Sequence, residues 1–263
     1  MMARDRSQYC PICDGHAVPA FVATVLGRYQ AGFHQCRECR FLYATDPHWL
    51  SEAYSHAMAD ADTGVLLRNL YNVARCTATL GFFFDYRPPC VDVGGGHGVF
   101  TRLMRDVGFD FRWRDLHAEN LFARGFEYRD ESGVQLVTAF EVIEHLASPL
   151  DFVREALALT DKGALLLTTE LFSGERPAPD WAYYAFESGQ HIAFFHPRSL
   201  GALARKLNME LTSHGNWHLL SPRPVSRALF SIAATPMAAL IFPWIKLRVS
   251  SRTQADHEQL KRR

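Results

Sequence analysis

The sequence predicts an α/β fold, a doubly wound and mostly parallel sheet of seven strands. Apolar, strand-like runs alternate with helical segments from Val91 to Leu159, which is typical of a parallel sheet covered by helices. A glycine-rich turn joins the first of these strands to a helix, and acidic residues end or follow several of the strands. Ligands of such folds bind at the carboxyl ends of the strands, where both features lie.

Length and composition limit the classes of protein to which this chain could belong. At 263 residues, the chain is long enough for one α/β domain with a small appendage. The formal net charge is zero, from 28 basic and 28 acidic residues, so the charge balance disfavours a nucleic-acid partner. No apolar run follows Met1–Asp5, and we expect no signal peptide and a cytoplasmic location.

The glycine-rich turn is the most informative segment. Val91–Phe100 reads as a buried strand, a turn and a helix that begins near Gly98. Glycines at alternate positions, Gly94, Gly96 and Gly98, let the main chain adopt left-handed angles and bring a ligand close to bare amides. The spacing differs from the dinucleotide turn Gly-x-Gly-x-x-Gly, which disfavours an NAD-linked oxidoreductase, and no lysine follows to make a phosphate loop.

The remaining elements of the sheet follow in order. We predict strands over Phe111–Asp115, Val134–Phe140 and Ala164–Thr169, and a hairpin of the two strands Glu210–Ser213 and Trp217–Ser221. Helices are predicted over Pro149–Leu159 and Ser199–Leu207. Asp115 lies about twenty residues past the glycines, where a doubly wound fold places the carboxylate that binds ribose hydroxyls.

These motifs resemble the cofactor site of class I S-adenosylmethionine-dependent methyltransferases, and the resemblance covers Tyr86 to about Ser221. It implies S-adenosylmethionine as cofactor and a sixth strand followed by an antiparallel seventh. It also implies that Asp92 positions the methionine end of the cofactor and that Asp115 holds the ribose. The other implied cofactor contacts are Gly94, Gly96, Gly98, Phe140 and Glu141.

Two Cys-x-x-Cys pairs near the N-terminus predict a zinc-ribbon-like module. Cys10 and Cys13 form the first pair, and Cys36 and Cys39 the second. Two-residue spacing lets both thiolates of a pair reach one tetrahedral ion, and four thiolates leave no open position, so the zinc would be structural. A redox dithiol and unrelated free thiols are the alternatives. The pairs resemble the N-terminal module of some sugar C-methyltransferases. Cys76 and Cys90 are expected to be buried apolar side chains.

Glu141, Glu144 and His145 are the candidate chemical groups, spaced to share one face of a helix after the Val134–Phe140 strand. Three interpretations stay open. His145 acts as a general base oriented by a carboxylate; the cluster binds a divalent ion, with His191 as a further ligand; or the residues cap the helix. The pattern resembles small-RNA 2′-hydroxyl methyltransferases and ubiquinone-pathway O-methyltransferases, whose corresponding residues hold magnesium. The aromatic segment 183–197 suits an acceptor pocket, with Phe194 and Phe195 as core.

Four segments are expected: a zinc-ribbon-like module over 1–47, a helical cap or lid over 48–85, the cofactor-binding core over 86–222, and an apolar helical segment with a polar tail over 223–263. In the cap, Tyr54, Thr63 and Arg68 are candidate cofactor or substrate contacts, although a solvated helix face is equally compatible. Ala228–Ile245 carries no charge but contains two prolines, which predicts a hairpin of two short helices. It could be a lid or core element, a membrane-interface contact or a true span. The polar tail Ser251–Arg263 is expected to be a short helix.

We therefore expect a methyltransferase that acts on a small-molecule, sugar or lipid-linked acceptor, most readily at oxygen. The alternatives are a non-catalytic zinc-ribbon scaffold on the same fold and a metal-dependent 2′-hydroxyl RNA methyltransferase, the latter disfavoured by the neutral charge.

Overall fold

The computed structural model describes residues 9–54 and 63–262. The segment Met1–Asp5, for which no signal peptide is expected, lies outside these residues. The strands are β1 (Ala17–Val25), β2 (Tyr29–Cys36), β3 (Leu42–Ala44), β4 (Cys90–Val93), β5 (Phe111–Arg114), β6 (Leu136–Phe140), β7 (Ala164–Thr168), β8 (Ala193–Phe194), β9 (Glu210–His214) and β10 (Trp217–Ser221). The helices are α1 (Leu50–Ala53), α2 (Val65–Phe83), α3 (Val99–Val107), α4 (Pro149–Ala158), α5 (Pro197–Lys206), α6 (Arg227–Ala234), α7 (Ala238–Lys246) and α8 (Thr253–Lys261).

The main sheet has the order β5-β4-β6-β7-β10-β9. Strands β5, β4, β6 and β7 are parallel, whereas β10 lies antiparallel between β7 and β9. The predicted α/β class and the terminal hairpin are therefore confirmed.

The predicted count of seven strands is wrong for the described residues, because this sheet has six. The segment between β5 and β6 contributes only a single parallel bridge, from Glu127 to Trp113. Its neighbours form turns instead, since Asn120 and Glu127 bond to main-chain amides at Ala123 and Gly125. A segment that satisfies its amides locally has no continuous row of groups to offer a strand.

Both faces of the main sheet are buried, as a doubly wound fold requires. Along β6, Leu136 packs on one face with α2 and α3, while Val137 and Ala139 pack on the other with α4 and α5. Residues of a strand alternate between faces, so each covering layer of helices is matched by every second side chain. Cys76 and Cys90 are fully buried in the first of these layers, as predicted.

A second, antiparallel sheet has the order β1-β2-β3-β8. Strand β8 comes from the segment after β7 and pairs with β3 through Leu42 and Phe194. The predicted boundary at residue 47 therefore does not separate two independent cores. Cys10, Phe41 and Phe195 also share one apolar cluster with the main domain. Phe194 and Phe195 are fully buried, as predicted.

The C-terminal segment forms the predicted helical hairpin. Helices α6 and α7 meet at 93°, and in the described residues no single helix meets the length and hydropathy expected of a membrane span, although this bent pair does by composition. Phe230, Ala234 and Ile245 pack against α2 and the sheet. The tail forms α8, where the Asp256 carboxylate accepts hydrogen bonds from the buried Arg105.

Candidate active site

The glycine-rich turn lies between β4 and α3. Gly94 has a φ of +68° and Gly96 a φ of +52°. A Cβ on Gly94 would lie 2.6 Å from Val142 Cγ2, whereas a Cβ on Gly96 would meet no atom within 4 Å. Gly96 therefore borders open space, and a side chain there would occupy that space without disturbing the protein's own packing. Gly98 precedes the first residue of α3 at the predicted position.

Asp115 lies against this turn, as predicted. Its Oδ2 accepts a hydrogen bond from the Gly96 amide at 2.9 Å. Its Oδ1 accepts from the amides of His117 and Ala118 at 2.7 and 2.8 Å. The carboxylate is thus fixed at the mouth of the open space beside Gly96, at the end of the strand next to β4.

Asp92 lies beneath the turn and is buried. Its carboxylate accepts hydrogen bonds from Thr101 at 3.1 Å and Thr138 at 2.8 Å. Burial is the main cause that raises the pKa of Asp92 to about 7, against the two hydroxyl bonds. Both oxygens are engaged from below, so the side chain ties the turn to β6 and α3.

The predicted helix after β6 is absent. Glu141 has a left-handed φ of +55°, only a short 3-10 turn over Ile143–His145 follows, and α4 does not begin until Pro149. Glu141 therefore does not share a helix face with Glu144 and His145. Its carboxylate instead accepts a hydrogen bond from the Thr168 hydroxyl at 2.7 Å, at the end of β7. Pro149 begins α4 and disfavours helical angles at Ser148, so no unbroken helix runs from Glu141 into α4.

Phe140, the other predicted cofactor contact after β6, is half-buried. Its ring packs edge to face on Phe100, with centroids 4.9 Å apart, and against Trp217 at 5.1 Å. The side chain thus packs in the apolar layer between the sheet and its covering helices.

Glu144, His145 and His191 form the cluster that the structure assembles. One ligand atom from each lies within 4.8 Å of the others. The Nδ1–H of His145 donates to the Gln190 carbonyl at 3.1 Å, and that of His191 donates to the Tyr183 carbonyl at 2.7 Å. Carbonyls only accept, so these bonds fix both tautomers and leave each Nε2 with its lone pair.

The Glu144 carboxylate is fully buried. Tyr183 donates to Oε1 at 2.8 Å, whereas Oε2 has no hydrogen-bond partner among the described residues. Burial raises the pKa of Glu144 to about 8, with the Glu141 charge as second cause. Burial likewise lowers the pKa of His145 to about 3, so the imidazole is neutral at neutral pH. The unpaired buried oxygen of Glu144 and the Nε2 lone pairs of the two neutral imidazoles together form a set of electron-pair donors that could coordinate a cation.

Of the predicted contacts in the cap, Tyr54 lies closest to this cluster. Its ring centroid is 6.1 Å from that of His145 and 5.8 Å from that of His117. Tyr54 therefore bridges the cluster and the Asp115 loop. Thr63 is exposed and lines no cavity described here.

A cavity of about 220 Å³ lies between α2 and the carboxyl ends of β6 and β7. Its lining from α2 includes Arg68, a predicted contact, together with residues that the sequence analysis missed. The missed lining residues include Tyr71, Arg75, Thr168 and Asn216, whereas Asn72, which the sequence places with Arg68 on one polar helix face, also lines the cavity. The spacing of Arg68, Asn72 and Arg75 on one helix face was the available signal. No residue of α6 or α7 is among the lining residues, so the structure gives the hairpin no role as a lid over this cavity.

The four cysteines of the two pairs converge at one point. Their sulfurs lie within 4.8 Å of one another, with Cys10 to Cys39 and Cys13 to Cys36 both at 3.5 Å. Zinc–sulfur bonds of about 2.3 Å place tetrahedral sulfurs about 3.8 Å apart, so the spacing fits. The amides of Ile12 and Cys39 point at Cys10 and Cys36 sulfurs at 3.4 Å, which favours thiolates.

Comparison with known proteins gives a family match. A family described as a methyltransferase domain matches residues 67–214. No curated protein matches the sequence.

Solved structures give more distant matches. An O-methyltransferase family protein from Burkholderia thailandensis is 18% identical, with 70% of this chain and 64% of that chain covered and a TM-score of 0.49. Mitomycin 7-O-methyltransferase MmcR is 15% identical, with 66% and 65% covered and a TM-score of 0.42. An O-methyltransferase family 2 protein from Planctomyces limnophilus, in complex with apigenin, is 16% identical, with 66% and 65% covered and a TM-score of 0.42. This chain thus spans slightly less than two thirds of each of these chains.

Proposed function

Because this chain belongs to the methyltransferase domain family and its core is an S-adenosylmethionine-dependent methyltransferase domain, we propose that the whole protein methylates an oxygen of a small-molecule, sugar or lipid-linked acceptor. The observation that carries the proposal is the open space beside Gly96, with Asp115 fixed at its mouth.

The residues around the glycine-rich turn fit the cofactor. The main chain at Gly94–Gly98 would approach the cofactor closely, and Asp115 would accept hydrogen bonds from ribose hydroxyls. Asp92 would position the methionine end, or hold the turn that does so, from beneath. S-adenosylmethionine supplies an electrophilic methyl group on a positively charged sulfur. Much of the rate of such a transfer comes from holding the acceptor oxygen in line with that methyl group.

We assign acceptor activation to Glu144, His145 and His191. The acceptor hydroxyl must lose its proton as its oxygen bonds to the methyl carbon, and this cluster offers two ways to assist. The Nε2 atom of either histidine could take the proton directly. Alternatively, the two Nε2 atoms and Glu144 Oε2 could hold a divalent cation, which would lower the pKa of a bound hydroxyl. The orphaned Glu144 Oε2 favours the cation, since a bound cation would give this buried oxygen its partner and would displace the proton that the raised pKa leaves on the carboxyl group at neutral pH. Glu141 is not part of this set, because its carboxylate faces Thr168.

We propose a structural zinc ion at the four cysteines. The convergent sulfurs and the amides that point at them support this assignment. The ion would cross-link the loops before β1 and before β3, and no position would be left for a reacting ligand.

We also propose that α7 touches a lipid surface. Leu240 and Trp244 are each 72% exposed and Leu247 is 83% exposed, whereas Ile245 faces inward. Exposed arginines flank the apolar hairpin, with Arg227 at its start and Arg248 after its end. Apolar side chains with flanking cations suit the interface of an anionic bilayer.

A thermal-shift measurement tests the function. S-adenosylhomocysteine, the demethylated product of the cofactor, should raise the unfolding temperature of the full-length protein, and NAD should leave it unchanged. Failure of S-adenosylhomocysteine to stabilise the protein would contradict the enzyme and favour the scaffold alternative.

A further inference from the structure

We propose that the cavity between α2 and the carboxyl ends of β6 and β7 binds an anionic group of the acceptor, such as a carboxylate or phosphate, through Arg75 and Asn72. The proposal rests on the proposed function, because it names the class of acceptor: an acidic small molecule whose methylated oxygen lies toward Glu144 and whose anionic group lies toward α2.

Arg75 is the central residue of this anion site. It lines the cavity, is half-buried, and lies above the indole ring of Trp217 with its guanidinium carbon 5.7 Å from the ring centroid. Among the described residues, no carboxylate lies within ion-pair distance of it. Burial lowers the pKa of Arg75, which shows that the charge is partly removed from water. A partly desolvated guanidinium without an anion is the arrangement that a bound oxyanion would complete.

Asn72 gives a second, independent indication. It is one turn before Arg75 on the same face of α2, lines the cavity and is only 5% exposed. Its amide has no hydrogen-bond partner among the described residues. Because the Asn72 amide atoms are not among the fully buried groups without a partner, they reach the cavity, where a ligand that accepts a hydrogen bond could pair with them. Beneath Arg75, the buried Trp217 Nε1 is a further donor without an acceptor among the described residues.

The cavity is separate from the cofactor cradle. Its walls are Thr168 at the end of β7 and Asn216 before β10, and no residue of the glycine-rich turn lines it. Those strands lie two and three places from β4 in the sheet, which corresponds to about 10–15 Å at about 4.8 Å per strand. Glu141 follows β6, the strand next to β4, so only the Thr168 and Asn216 walls lie away from the glycine-rich turn, and we assign the anion to the acceptor on that side.

Glu141 is the acidic residue of the cavity lining. Its carboxylate is held by Thr168. The charged lining residues are Arg68, Arg75 and Glu141. Glu141 lies three residues before Glu144, so this wall of the cavity adjoins the segment that carries part of the proposed acceptor-activating cluster. An acceptor that spans from Arg75 past Glu141 would reach that cluster.

The test compares two probes of the same shape that differ in charge, 4-hydroxybenzoate and 4-hydroxybenzamide. Each is titrated calorimetrically into the full-length protein saturated with S-adenosylhomocysteine. The wild-type protein should bind the acid about tenfold or more tightly than the amide, as expected for charge-assisted hydrogen bonds. Arg75→Gln should abolish that preference, Arg75→Lys should retain part of it, and Asn72→Ala should weaken it. Arg205→Gln removes an exposed arginine on α5 and is the matched control that should behave as wild type.

Equal affinity for the two probes in the wild-type protein would overturn the proposal, as would an equal loss in Arg205→Gln. If Arg75→Gln instead weakens S-adenosylhomocysteine binding by about tenfold and leaves the acid preference intact, the site binds the cofactor carboxylate and the acceptor assignment is wrong. The proposed function fails in a different way, by absence of S-adenosylhomocysteine binding to the wild-type protein. In that case the two probes are compared in the protein without S-adenosylhomocysteine. A preference for the acid that Arg75→Gln abolishes supports the anion site there, and equal affinity for the two probes contradicts it.

Discussion

The rings of His145 and His191 meet edge to face with their centroids 4.8 Å apart. The two residues are brought together by the main chain, because the Ile192 amide donates to the Glu144 carbonyl at 2.9 Å. Each ring is held through Nδ1 by a carbonyl of the segment that follows β7. The two Nε2 atoms and Glu144 Oε2 are therefore fixed before any ligand arrives, which favours tight and selective binding.

Removal of one of these donors should abolish cation binding. Glu144→Gln keeps the size of the side chain and the Tyr183 hydrogen bond but removes the anionic oxygen. Its affinity for Mn²⁺, measured by titration calorimetry, should fall at least about 100-fold, and His191→Ala should have the same effect. His214→Ala, at an exposed site in β9, is the matched control. Unchanged Mn²⁺ affinity in Glu144→Gln would show that the cluster does not hold a metal.

Alanine at Gly96 should block the cofactor without unfolding the protein. A Cβ there meets no protein atom within 4 Å, so it enters the space in which the cofactor would lie. The positive φ costs about 1 kcal/mol of stability in itself. Gly215→Ala is the control, because Gly215 has a φ of +56° and an equally open Cβ position in a distant hairpin turn. Only Gly96→Ala should weaken S-adenosylhomocysteine binding, and an equal effect in both variants would contradict the assignment.

One zinc ion per chain is expected, and it should be required for stability. Cys36→Ser should lose the ion, as measured by atomic emission, and should lower the unfolding temperature, because the loops around β1 and β3 lose their cross-link. Cys76→Ala also removes a buried sulfur but should retain the full zinc content. Wild-type protein that is purified with neither bound zinc nor reducible disulfide bonds would contradict the structural zinc site.

Asp92 should make stability depend on pH. Its pKa is about 7 in the folded protein, against about 3.9 in an unfolded chain. The folded state thus binds the proton more tightly, so the stabilisation is complete below pH 3.9 and is lost as the pH rises through 7. Asp92→Asn removes this loss. The difference in unfolding free energy between the variant and wild type should therefore shift by about 1–3 kcal/mol in favour of the variant from pH 5 to pH 8. Denaturant unfolding at both pH values tests this, and an equal effect at the two would contradict it. Thr101→Val is the control for the lost hydroxyl bond.

Membrane contact through α7 can be tested by flotation with vesicles that contain anionic phosphatidylserine. The variant Leu240→Ser, Trp244→Ser, Leu247→Ser removes exposed apolar area only, so the fold should persist while vesicle binding is lost. The control is Val22→Ser with Leu116→Ser, which are 67% and 86% exposed outside the hairpin. Flotation of the triple variant at the wild-type level would refute the contact.

Local patterns in the sequence determined much of the fold. The strand–glycine–helix segment at Val91–Phe100, the terminal hairpin and the helical pair at the C-terminus were all predicted, because each depends on residues within a few positions of one another. The two cysteine pairs were equally evident, since two-residue spacing is a local property. The placement of Asp115 beside Gly96 followed from the strand order of a doubly wound fold.

The tertiary structure alone decided which distant groups meet. It replaced the expected helix after β6 with a left-handed Glu141, and it placed His191 from one sheet edge beside Glu144 and His145. It also joined β8 to the N-terminal sheet and set α2 over Thr168, which creates the cavity around Arg75. The physical reason is the same in each case. Local sequence fixes which main-chain conformations are low in energy, whereas burial of apolar area and pairing of buried polar groups choose among the ways in which those segments can pack.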